Sequence, residues 1–181
     1  MNLFSAAPDW AIWILTALLV AAALQDAVQL RISNYITASV LVLAIVAMVV
    51  TGPAVVMWQN AALFAVVLFV GAFLFSRNVL GGGDVKLFAA VALWSDLGGA
   101  LRLIALIFLC GGLLAILILI ARTVSPQALV DRVKTLRPRA GIPYGIAIAA
   151  GTILTIAFAQ EQPRQKSLST IAPVPKLQPN N

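Results

Sequence analysis

The chain has 181 residues, of which 62% are apolar and 10% charged, with twelve Lys and Arg against six Asp and Glu. A water-soluble domain of this size carries about a quarter charged residues, so an ordinary soluble fold is excluded. There is no histidine and one cysteine, Cys110, which removes Ser-His and Cys-His nucleophiles, histidine-based zinc or haem sites and any disulfide framework. The net charge of +6 does not form a basic stripe interleaved with aromatics, so no nucleic-acid partner is expected. The basic residues sit between apolar runs, and the partner implied first is a lipid bilayer.

A helix crossing the hydrocarbon needs about 20 apolar residues, and the runs predict an all-α polytopic membrane protein of about six spans. Residues 1–159 read as one membrane domain. The first helix covers Trp10–Leu24. It resembles a signal peptide through Ala21 and Ala23, but residues 1–9 hold no Lys or Arg, so it reads as retained. The second covers Asn34–Val50, with Asn34 as its N-cap, and stops at Thr51-Gly52-Pro53. The third covers Ala61–Phe75, with Trp58 as an interfacial anchor and Arg77 beyond its end.

Next comes Gly81-Gly82-Gly83-Asp84, followed by the short apolar segment Val85–Trp94. At 1.5 Å per residue this fourth helix reaches only about 15 Å, roughly half of the hydrocarbon thickness. Either its start lies in a recess or the bilayer thins there. Asp96 caps the turn into a fifth helix, Leu101–Ala121, in which Cys110 is a small apolar filler. A polar loop, Arg122–Arg139, leads to a sixth helix, Gly141–Phe158. Gln160–Asn181, rich in Pro, Gln, Ser and Lys, reads as a disordered tail.

Placing the N-terminus outside puts Arg31, Arg77, Lys86, Arg122, Arg132, Lys134, Arg137 and Arg139 on the inner side, eight of the twelve basic residues. Positive charge is retained in the cytoplasm, so both termini are expected outside. Asp26 and Asp84 then face the same, cytoplasmic, side.

A carboxylate inside a membrane costs several kcal/mol, so it calls for a function. Asp9, Asp131 and Glu161 lie in a terminus or loops, and Asp96 caps a turn. Asp26 and Asp84 each abut an apolar helix. Two readings stand for each: a solvated helix terminator at Asp26 or an N-cap at Asp84, or a pair of carboxylates in one site. The glycines beside Asp84 permit positive φ and close backbone approach, which suits a bound extended segment and also suits a plain loop.

Three motifs together resemble the type IV prepilin peptidases. Gly81-Gly82-Gly83-Asp84-Val85-Lys86-Leu87 is similar to their GxGD segment. Asp26 with Arg31-Ile32-Ser33-Asn34 is similar to their first aspartate and the Arg-Ile-Pro-Asn stretch after it, with Ser33 in place of proline. Ile142-Pro143-Tyr144-Gly145 is similar to the Pro-Tyr-Gly start of their last helix. The motifs fall in the family's order over residues 10–158, and the short chain resembles the subgroup serving Flp-type, tight-adherence pili. It lacks the cysteine-bearing insert of longer relatives, so methylation is not implied.

The resemblance implies an intramembrane aspartyl endopeptidase of the bacterial inner membrane that removes prepilin leader peptides, with Asp26 and Asp84 catalytic and no cofactor or metal. It implies a substrate with a short basic leader, a Gly before the cut and a hydrophobic helix after it. Gly81, Gly82, Gly83, Lys86, Arg31, Asn34 and Tyr144 are candidates for shaping the site or binding substrate. Lys86 either supports a carboxylate or reaches lipid headgroups; Arg31 serves topology or substrate. Gly141 and Gly145 form a GxxxG pair suited to close helix packing. The competing readings are a carboxylate-based transporter, against which no inverted repeat or paired broken helices are found, and a structural subunit of a pilus or secretion assembly.

Overall fold

A computed structural model describes residues 2–52, 57–124 and 141–171. The described residues form helices only: α1 (Leu3–Ala6), α2 (Asp9–Gln29), α3 (Asn34–Thr51), α4 (Met57–Ser76), α5 (Gly82–Ala92), α6 (Leu97–Val124) and α7 (Tyr144–Ile171). Five of these, α2, α3, α4, α6 and α7, are long and apolar enough to cross a bilayer. The chain is a polytopic all-α membrane protein. Most of the polar loop expected after Arg122, and residues 172–181 of the expected tail, lie outside the described residues.

The short helix sits at the centre of the architecture. α5 packs between α3 and α4 and also touches α7, while α7 packs against α2 and α6. Leu15, Leu19, Val40, Leu87, Val91 and Leu103 form the buried seam. Large apolar side chains such as Leu24, Val49, Phe69 and Leu109 point outward, as a lipid-facing surface requires. Where α6 and α7 cross, a Cβ on Gly151 would stand 2.6 Å from the Ile107 backbone, so only glycine permits that approach.

With 11 residues, α5 is about 16 Å long at 1.5 Å per residue. A helix ending at membrane depth leaves carbonyls that no water can reach, so protein groups must satisfy them. The Asn60 side-chain amide donates to the Leu93 carbonyl at 3.0 Å, and the Leu3 N–H donates to the Trp94 carbonyl at 2.9 Å. The Trp94 indole N–H reaches the Val40 carbonyl at 3.3 Å. α1 completes this end: Leu3 and Phe4 are buried, Phe4 stacks on Trp94 with ring centroids 6.3 Å apart, and Asn2 caps the turn by accepting from the Phe4 N–H.

Several boundaries differ from the sequence expectation. The first helix does not stop at Leu24; it continues to Gln29 and ends on Leu30 in the left-handed region, φ 54°. Gln25 turns back to accept the Ser33 N–H at 2.8 Å, which gives the polar end of α2 an internal partner. The N-cap of α3 is Ser33, whose hydroxyl accepts from the Tyr35 N–H, not Asn34. A proline at 33 would lack the N–H that Gln25 accepts. Asp96 does cap α6, accepting from the Gly99 N–H at 2.9 Å. The last helix starts at Tyr144 and runs to Ile171, past the tail boundary expected at Gln160. Cys110 is half-buried and free.

Candidate active site

Asp26 lies in the last turns of α2, and packing turns it inward: it is 4% exposed. Its Oδ2 accepts the Gly145 N–H at 2.7 Å in a buried hydrogen bond. Gly145 is the second residue of α7, so its amide is one of the first-turn donors that have no partner within their own helix. The positive end of the α7 dipole favours a carboxylate at this point. A Cβ at 145 would stand 2.9 Å from Asp26 Oδ2, 3.0 Å from Asp26 Cβ and 2.8 Å from Ile32 Cδ1. The glycine is therefore required by space.

Asp84 is the third residue of α5, whose N-cap is Gly81; it is not itself the cap. Its carboxyl folds back toward the Gly81 backbone, which hydrogen-bonds to it. This is the reach-back geometry of an acid at the third helical position. A Cβ on Gly81 would stand 2.6 Å from Asp84 Oδ2. Gly81 itself has φ −71°, and Gly52 is the described glycine with positive φ, 96°. The glycine run thus serves close approach rather than unusual backbone angles. Gly83 meets Ile32 at 3.2 Å and Gly82 meets the Phe75 ring at 3.3 Å when a Cβ is added.

The two carboxylates, far apart in sequence, face common space. A recess of about 210 Å³ is lined by both with Arg31, Leu30, Ile32 and the three glycines. A second, of about 460 Å³, is lined by both with Phe75, Asn78, Ile142 and Tyr144 among others. Either is several times the roughly 30 Å³ of a liquid water, so water and a peptide segment can share them. Both carboxylates line the same recesses, and two acids sharing one site disfavour each other's ionisation. Among the described residues no cluster of three or more His, Cys, Asp or Glu is suited to a metal ion.

The other candidates divide. Gly81, Gly82, Gly83, Arg31 and Tyr144 line the recesses. Lys86 and Asn34 do not: Lys86 Nζ donates to Asn34 Oδ1 at 3.0 Å on an exposed face, tying α5 to α3. Lys86 therefore supports neither carboxylate. Of the GxxxG pair, Gly145 makes the close approach, whereas a Cβ on Gly141 would meet nothing within 4 Å. Sequence reasoning missed Gly145 as a site residue, and also Leu30, Ile32, Phe75 and Asn78. The signal for Gly145 was present, since a glycine opening a helix offers a bare amide to an anion. Leu30 and Asn78, in the left-handed region at φ 54° and 58°, carried no sequence signal.

The family model of the type IV leader peptidases matches residues 13–120, more than half of the chain and a stretch that carries both Asp26 and Asp84. The chain belongs to the type IV leader peptidase family. No curated protein and no solved structure matches it. Membership supports a leader peptidase-like proteolytic activity. Residues 141–145, which supply the amide held by Asp26, lie beyond the matched stretch.

Proposed function

We propose that this peptidase is of the aspartic type and that Asp26 and Asp84 are its catalytic pair. The observation that carries the reading is that both carboxylates, from the end of α2 and the start of α5, line the same two recesses. One member of the pair is ionised and takes a proton from water as the water oxygen attacks the scissile carbonyl. The protonated member gives a hydrogen bond, then its proton, to the developing oxyanion. As the tetrahedral species collapses, one of its hydroxyls returns its proton to the carboxylate that protonated the oxyanion, the C=O re-forms and the C–N bond breaks. The amine leaves with the proton taken from water, and the new carboxyl terminus departs with the leader.

The substrate proposed is a prepilin of the Flp type, with its apolar helix in lipid and its leader at the cytoplasmic face of the bacterial inner membrane. Support comes from Arg31, Arg77 and Lys86, which lie at the Asp26–Asp84 end of the helices, as the retention of positive charge inside would require. The glycine-lined recess leaves room beside Asp84 for the backbone of an extended segment.

Co-expression with a candidate Flp-type prepilin, followed by its intact mass, tests the reading. Loss of the leader mass with the wild-type chain, and its retention with Asp26→Asn and with Asp84→Asn, is the expected result. A trimmed pilin in either variant sinks the aspartic assignment.

A further inference from the structure

The two carboxylates are not held alike. Asp26 is almost fully buried and its Oδ2 receives the Gly145 N–H at 2.7 Å, at the head of the 28-residue α7. Asp84 is half-buried, and the backbone that turns toward it belongs to Gly81, which is exposed. Water competes for a donor on that edge and cannot compete for the Gly145 amide. Burial disfavours the charge on either acid. Against that, a buried N–H directed at a carboxylate favours its ionised form, and the helix terminus behind it acts in the same sense. Asp84 receives this opposing contribution only from an exposed backbone.

Resting on the aspartic reading above, we infer that Gly145 is a positioning residue: its amide holds Asp26 as the ionised member of the pair, leaving the shared proton on Asp84. Asp26 is then the group that takes the proton from water, and Asp84 the one that supports the oxyanion. The other charged or titratable groups facing Asp26 across the recesses are Asp84 on α5, Arg31 between α2 and α3, and Tyr144 on α7. Arg31 lines the smaller recess, and Lys86 is turned away to Asn34. Gly145 has no side chain because the donor must come this close. A methyl group at 145 collides with Asp26 Cβ at 3.0 Å and Oδ2 at 2.9 Å and drives the first turn of α7 off the carboxylate.

The test is the pH dependence of kcat/KM for cleavage of a purified prepilin by purified, folded Gly145→Ala protein. Activity rises with pH as the base ionises. With the amide displaced, ionisation needs a higher pH, so the ascending limb should move up by about one pH unit, the size expected when a hydrogen bond to an ionised group is weakened. The descending limb should move less. Gly151→Ala is the structural control: it disturbs the same helix against the Ile107 backbone, away from both carboxylates. It should lower thermal stability and leave the ascending limb in place. Should Gly145→Ala not be recovered folded, adding Ile32→Val removes the Cδ1 that the new methyl meets at 2.8 Å, and the double variant gives the same reading. An unmoved limb in the folded variant, or an equal shift in Gly151→Ala, overturns the role given to Gly145. Cleavage by Asp26→Asn or Asp84→Asn would instead overturn the aspartic reading on which it rests.

Discussion

The two ends of α5 pose one physical problem and solve it in opposite ways. A helix of 11 residues leaves a gap in the membrane at one end or the other. At its C-terminal end the gap is filled: α1 inserts Leu3 and Phe4, Asn60 takes the Leu93 carbonyl, and Trp94 is pinned to Val40. At its N-terminal end the gap is left open, lined by glycines and two carboxylates. A filled end needs no water and holds the helix in place. An open end admits water, which hydrolysis of a peptide bond beside lipid requires. The shortness of α5 is thus a positive feature at one end, and α1 compensates for it at the other.

The largest contrast should come from the acids themselves. Asp26→Asn and Asp84→Asn at the open end should each lower prepilin cleavage at least a hundredfold, the scale of acid–base catalysis, while the proteins melt normally. Asp96→Asn at the filled end should cleave at the wild-type rate; equal losses at both ends would erase the distinction. Next in size is Gly81→Ala, whose Cβ would stand 2.6 Å from Asp84 Oδ2. Misplacing a reacting group by a fraction of an ångström costs on the order of tenfold to a hundredfold in rate, measured as kcat on detergent-purified protein. Gly52→Ala, at φ 96° with open space around it, should cost stability through backbone strain and leave kcat unchanged.

Those glycines show how much was legible in the sequence. The helical runs, the short fourth helix and the cap at Asp96 could be read because apolar stretches and their breaks register directly in one dimension. Three features could not. Gln25 and Asp26 are polar and read as the end of a helix, yet packing against α7 carries α2 on to Gln29. Ser33 is the cap in place of Asn34 because the backbone is still extended at Ser33 and already helical at Asn34, whose side chain instead accepts from Lys86, a pairing across 52 residues. α1 is a single turn whose burial depends on Trp94, and periodicity has nothing to detect in four residues. At the site, both carboxylates and the glycine run were visible as residue types. Gly145 was visible only as a glycine opening a helix; that its amide serves Asp26 was not, since a backbone donor becomes part of a site only when a second helix is brought to it.

Smaller effects sharpen the contrast from the filled side. Phe4→Ala should lower stability by about 3 kcal/mol, in the range for truncating a buried aromatic, and shift the thermal midpoint in detergent with little change in kcat per folded molecule. A large loss of kcat there would mean that the two ends are coupled. The smallest effect belongs to the stability of Asp96→Asn, because asparagine caps about as well as aspartate; a few tenths of a kcal/mol is expected, read from the same melts.

The central claim is that Asp26 and Asp84 share one recess, and proximity tests it without relying on catalysis. In a Cys110→Ala background, cysteines placed at 26 and 84 should be joined by a short bifunctional thiol reagent, seen as one added linker mass that blocks both thiols. Cysteines at 26 and 96 should each take a separate reagent molecule. A 26–84 pair that labels singly at both thiols and never links would contradict the account.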